Sequence, residues 1–116
     1  MAAAATITIA GLVTGLATGT KTLTGTLTSV AAVGTIQEAT LSTGANTITV
    51  PTGTTAVLIG MPSGNATLVT LKGVTGDTGV ALHKTFPTLL PLDSTQTTFC
   101  LTAAAPLPGP VELSWI

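Results

Sequence analysis

Charge is what this sequence has least of. Of its 116 residues three are basic, all lysine (Lys21, Lys72, Lys84), and four are acidic (Glu38, Asp77, Asp93, Glu112), so 6% of the chain is charged and the formal net charge is −1. An ordinary globular domain carries about 25% charged residues. With no arginine at all, the chain lacks the basic footprint that supplies most nucleic-acid affinity, and no nucleic-acid partner is expected. Polybasic attachment to a membrane surface is excluded for the same reason. One cysteine, Cys100, is present, which rules out an intrachain disulfide, a CxxC redox pair and a thiolate zinc cluster.

The catalytic inventory is equally thin. There is one histidine, His83, and no tyrosine. A Cys100/His83 pair or a Ser94/His83/Asp93 triad rests on counting alone, because triads are spatial and no nucleophile-elbow sequence supports one. We therefore expect no enzyme, no catalytic residues, no cofactor and no metal site. Gly73-Val74-Thr75-Gly76-Asp77-Thr78-Gly79 is glycine-rich but lacks the lysine and following helix of a phosphate-binding loop. It reads as a turn in which glycine supplies positive φ and Asp77 bonds nearby backbone. Asn65-Ala66-Thr67 matches a glycosylation pattern, an incidental match in the absence of a secretory signal.

Long apolar runs are missing too. The stretch from Ile7 to Val33 is broken by Thr, Gly or Lys every second or third position, so it does not form the span of about 20 apolar residues that a membrane helix needs. No positively charged segment precedes it, and the first lysine is Lys21; it does not read as a signal peptide.

What the chain has instead is threonine: 27 residues, close to a quarter of the sequence, beside a hydrophobic fraction of 45%. Threonine is β-branched and suits pleated, half-buried surfaces. From Thr20 to Thr28 the alternation is strict, with Thr20, Thr22, Thr24, Thr26 and Thr28 on one face and Lys21, Leu23, Gly25 and Leu27 on the other. Further short strands are predicted at Thr35–Leu41, Asn46–Val50, Thr55–Met61, Thr67–Val74, Gly79–Lys84, Thr97–Ala103 and Val111–Ile116, with a first strand at Thr6–Ile9. Pro, Gly, Asn and Asp clusters separate them. Short strands about ten residues apart with turn signals between them predict an all-β fold, an antiparallel, jelly-roll-like β-sandwich of about eight strands. Residues 1–14 are read as an extended N-terminal arm and 15–116 as a single sandwich domain.

Parity assigns faces. Phe99, Leu101 and Ala103 share one side of their strand, and Val111, Leu113 and Trp115 one side of theirs, which makes both sets core candidates. Thr98, Cys100 and Thr102 point the other way, placing the cysteine on the hydroxyl face unless a second apolar layer covers it. Both faces of Ala66–Val74 are rich in Leu, Val and Thr, the pattern of a central strand covered on both sides or of an oligomer contact.

Low charge leaves little repulsion between copies, and the composition suits a protein that sits in an assembly. The assembly-interface candidates are Ile7, Ile9, Leu12 and Val13 in the N-terminal segment, and Phe86 and Leu89 in a proline-bearing loop. A rival use for the Thr-x-Thr face is ice binding or surface adhesion, since threonine ladders resemble the flat faces of antifreeze β-solenoids; here no common repeat period supports it.

The runs Asn46–Ile59 (NTITVPTGTTAVLI), Thr70–Leu82 (TLKGVTGDTGVAL), Pro87–Leu92 (PTLLPL) and Val111–Ile116 (VELSWI) together resemble small β-sandwich virion proteins of tailed bacteriophages, in style over roughly residues 20–116. The resemblance implies a structural role: a capsid decoration (cement) protein bound to the major capsid protein or other virion proteins, homo-oligomeric with a trimer favoured. It would be assembled in the host cytoplasm and located on the capsid surface. A minor tail or baseplate subunit is the alternative that the resemblance leaves open.

Overall fold

A computed structural model describes residues 6–16, 19–28 and 35–116, with side chains from Ile36 onward. Every described regular element is a β-strand. β1 (Thr6–Leu16) and β2 (Gly19–Thr28) form a two-stranded antiparallel sheet. The eight strands that follow are β3 (Thr35–Ala39), β4 (Gly44–Thr49), β5 (Ala56–Gly60), β6 (Val69–Lys72), β7 (Val80–Ala81), β8 (Thr88–Pro91), β9 (Thr98–Ala103) and β10 (Val111–Trp115). They make two four-stranded sheets, ordered β3-β10-β5-β8 and β4-β9-β6-β7.

That order is a nested hairpin. The first sandwich strand pairs with the last (β3 with β10), the second with the second-last (β4 with β9), then β5 with β8 and β6 with β7, all antiparallel. The contacts β10–β5 and β9–β6 close each sheet. This is jelly-roll connectivity, as the pattern of short strands predicts.

Both parity assignments for the core hold. Phe99, Leu101 and Ala103 of β9 and Val111, Leu113 and Trp115 of β10 are buried, and they join Val57, Ile59, Val69 and Leu82 in one apolar cluster between the sheets. The rings of Phe99 and Trp115 meet at 6.2 Å between centroids. Trp115 Nε1–H donates to Gln37 Oε1 at 3.1 Å, so the indole is buried without an unpaired donor.

Two placements differ from expectation. Thr88–Pro91, expected as loop, is strand β8, hydrogen-bonded to β5 with Leu89 opposite Leu58. Its prolines hid it, but it is an edge strand, where proline is tolerated because the missing N–H faces away from the sheet. The strand buried on both sides is β9 rather than β6: Phe99, Cys100 and Leu101 are all buried in succession, whereas β6 is half-buried beyond Val69. Cys100 shares the parity of Thr98 and Thr102 but is only 3% exposed, and Gly73, Val74 and Thr75 of the β6–β7 loop lie over that stretch of β9.

Polar side chains tie the loops down. Asn65 is 3% exposed; its amide donates to the carbonyls of Thr67 and Lys84 at 3.1 and 2.8 Å, and its oxygen accepts the Thr67 N–H at 3.1 Å. A buried, fully occupied amide is no glycosylation acceptor. Asn46 plays the same part at the start of β4, donating to the carbonyls of Ser42, Gly44 and Leu101. In the β6–β7 loop, Asp77 accepts the Val74 N–H at 3.0 Å and returns its own N–H to the Val74 carbonyl. Gly79 closes that loop at φ 78°, where a Cβ would lie 2.6 Å from the Leu71 carbonyl oxygen.

Candidate assembly surfaces

The outer face of the β3-β10-β5-β8 sheet follows from its register. Ile36, Ser114, Leu58 and Leu89 fall on one row across all four strands. Ile36 is 69% exposed, and Leu58 and Leu89 are half-buried. Three aliphatic side chains beside one serine on the solvent side of a sheet depart from the hydrophobic-in, polar-out alternation expected for a sandwich in water. The next row along the strands holds Glu38 directly opposite Glu112, with Gly60 beyond. Both glutamates are exposed, and Glu112 leans over Gly60, its Oε2 3.9 Å from where a Cβ there would lie.

The other sheet presents hydroxyls. Thr49 lies opposite Thr98, and Thr70 opposite Thr102, on the outer face of β4-β9-β6-β7, with Cys100 and Lys72 in the row between. This polar face carries threonine where most proteins use charge.

The interface candidates fall into three places. Leu89 belongs to the aliphatic row just described. Phe86 is 69% exposed and sits in a turn organised by His83, whose Nδ1 accepts the N–H groups of Thr85 and Phe86 at 3.2 and 2.9 Å. The two rings meet edge-on at 6.2 Å. Ile7, Ile9, Leu12 and Val13 all lie on β1; register sets Ile7, Ile9 and Val13 opposite Leu27, Gly25 and Lys21, while Leu12 is opposite Thr22 and so on the other face of the hairpin. The strict Thr20–Thr28 alternation is present in β2, but its partners on β1 are Leu12, Ala10, Thr8 and Thr6, so only two of these four rows are threonine pairs. Sequence reasoning missed Ile36 and Leu58 because each reads as one aliphatic residue in a short strand; pairing alone brings them onto one row with Leu89.

Asp77, His83 and Asp93 serve local turns. Asp93 accepts both the N–H and the hydroxyl of Thr95, at 3.0 and 2.8 Å, which holds its carboxyl below the ordinary 3.8. Cys100 Sγ lies 3.8 Å from Thr102 Oγ1. His83, Asp93 and Cys100 thus each have their own local hydrogen-bond partners. Among the described residues, no group of three or more His, Cys, Asp or Glu side chains could hold a metal ion.

Two clefts open along the sides of the sandwich. One, of about 600 Å³, lies between edge strands β7 and β8, with Leu71, Leu90, Leu92 and Phe99 on its walls and Lys72, Asp77 and Gln96 at its polar positions. The other, of about 530 Å³, lies between β3 and β4 and is lined by Gln37, Ala39, Leu41, Asn46 and Ile48 among others. Comparison of the chain with protein-family models, curated proteins and solved structures found no match.

Proposed function

We propose that this protein is a non-catalytic virion structural protein: a capsid decoration (cement) protein that binds the outer capsid lattice and stabilises it through apolar and hydrogen-bonded interfaces. The observation that carries the reading is the solvent-side row Ile36–Leu58–Leu89 on a jelly roll almost free of charge. Ile36 is 69% exposed, and together with half-buried Leu58 and Leu89 it gives that face the apolar character that interaction surfaces use. The resemblance of Asn46–Ile59, Thr70–Leu82 and the C-terminal run to small virion proteins of tailed bacteriophages is what implies a phage particle as the assembly. The expected partners are the major capsid protein and further copies of this chain, as a trimer. A tail or baseplate subunit would use the same surfaces, and the position of the protein on the particle separates the two.

Attachment of this kind works by burial. Removing apolar surface from water contributes roughly 25 cal/mol per Å², while an exposed ion pair gives about 0.2–1 kcal/mol and is screened by salt. With seven charged side chains in the chain, burial dominates. Purified protein added to particles lacking it should therefore bind almost equally at low salt and at about 0.5 M NaCl, where the Debye length is a few Å. Sulfate should tighten binding, because excluded salts favour burial. Release of the protein by moderate NaCl would contradict cementing by apolar contact.

A further inference from the structure

We infer that the free edge of β4 pairs with itself: β4 of one copy lies antiparallel against β4 of a second copy across a two-fold axis at Thr47, joining their hydroxyl-faced sheets into one. This goes beyond the cement reading and stands without it.

The edge is open. β4 pairs with β9 on one side, and among the described residues no strand lies on its other side. The cleft of about 530 Å³ runs along that side, with Thr47, Ile48 and Thr49 in its lining, so a strand can approach. Unpaired strand edges are templates for pairing with another chain, and proteins blunt them with very short strands, proline or charge. The other three outer strands of the sandwich each carry such a device: β7 has two residues, Pro87 and Pro91 bracket β8, and β3 bears Glu38. β4 carries none from Ala45 to Thr49, and Pro51 comes only after the strand has ended.

Parity shows which main-chain groups face the opening. The Val50 N–H donates to the Thr97 carbonyl at 2.8 Å, in the same register as the β4–β9 ladder. Bonding alternates along an antiparallel strand. Asn46 and Ile48 therefore turn their N–H and C=O groups to β9, while Ala45, Thr47 and Thr49, all exposed, turn theirs to the open edge.

Those three residues are complementary to themselves, which is why the occupant is a second copy. With Thr47 opposite Thr47, Ala45 of each copy faces Thr49 of the other, and every free N–H and C=O of the three meets its counterpart. Slipping the register by two residues leaves one of the three unpaired in each copy. All three share the outer face of the sheet with Thr98, Cys100 and Thr102 of β9, so the pairing continues that face across the axis and turns no side chain to the wrong side. Neither β4 nor β9 contains a charged residue, so two copies meet there without repulsion. A patch that matches itself closes as an isologous dimer.

Amide hydrogen exchange of the full chain at low and high concentration tests this. The amides of Ala45, Thr47 and Thr49 should gain protection as concentration rises, while that of Ile48, bonded to β9, is protected throughout. Thr47→Cys, made together with Cys100→Ala because Cys100 lies opposite Thr47, should oxidise to a covalent dimer, since a hydrogen-bonded pair sets its Cα atoms about 5.5 Å apart, within disulfide reach. In the same background Ala45→Cys should link to Thr49→Cys in a mixed sample, and neither should link to itself. Thr47→Lys sets like charges on the axis and should weaken self-association about tenfold in sedimentation. Thr47→Pro removes an edge N–H that β9 does not use, so it should abolish association with the fold kept, as circular dichroism checks; if that variant does not fold, Thr47→Lys, a change to an exposed side chain, decides. A chain that stays monomeric at NMR concentration would overturn the inference. So would association that leaves these amides unprotected or that Thr47→Lys does not weaken, and so would protection that appears only when another virion protein is added. Absence of the protein from particles would defeat the cement reading and leave this contact standing.

Discussion

Phe99 of β9 and Trp115 of β10 meet ring to ring across the sandwich, 6.2 Å apart with their planes inclined by 55°. They join the two sheets through the strands that sit inside each. Both side chains are at most 4% exposed. Trp115→Ala should cost about 3–5 kcal/mol of stability through lost burial and the cavity left behind. Trp115→Phe keeps a ring but loses the Nε1–H bond to Gln37, and Gln37→Ala loses the same bond from the other side; neutral hydrogen bonds of this kind contribute about 0.5–1.5 kcal/mol. Denaturant titration of the three variants checks the order, with Trp115→Ala the weakest.

Asn65 is a second structural anchor, joining the β5–β6 loop to Lys84 beyond β7. Asn65→Ala leaves the Lys84 carbonyl and the Thr67 N–H without that partner, at a cost of about 1–3 kcal/mol. Thermal unfolding measures it.

Gly79 and Gly64 both have positive φ, at 78° and 73°, but differ in the space around them. A Cβ at Gly79 would lie 2.6 Å from both the Leu71 oxygen and Lys72 Cγ, while at Gly64 nothing lies within 4 Å. Gly64→Ala should therefore show only the cost of a left-handed non-glycine residue, about 1–2 kcal/mol. Gly79→Ala should cost more and should disturb the pairing of β6 with β7, visible as loss of amide protection at Leu71 and Val80.

Asp93 supplies the pH dependence. The Thr95 N–H and hydroxyl favour its ionised form, so its folded pKa lies below 3.8. A depressed carboxylate pKa gives stability that is fully present above the unfolded value and is lost as pH falls through the folded value. The β8–β9 turn should thus hold at neutral pH and loosen only below about pH 4. NMR titration of the Asp93 carboxyl should give a midpoint below that of Asp93 in a Thr95→Val variant.

The fold was largely legible because both core strands carry strict period-2 alternation: Phe99, Leu101, Ala103 and Val111, Leu113, Trp115 read directly as inner faces. β8 was not, because Pro87 and Pro91 bracket two leucines and mimic a loop; edge position, which only pairing reveals, makes a proline acceptable there. Cys100 keeps the outer-face parity read from the sequence and is buried there because the β6–β7 loop lies over that face. On the outer face of the β3-β10-β5-β8 sheet, Leu89 stands out by its hydrophobicity in sequence, but only pairing sets Leu58 beside it and places Ile36, beyond Ser114, on the same row.

The central claim is that this chain is a cement subunit on a capsid exterior. Cryo-electron microscopy of phage particles assembled in cells that make this protein tests that proposal most directly. The account predicts jelly-roll density in multiple copies on the outer shell, grouped about symmetry axes, with the Ile36–Leu58–Leu89 face buried against a neighbour. Particles whose outer shell carries no such density, while this protein is found elsewhere or not at all, would contradict it.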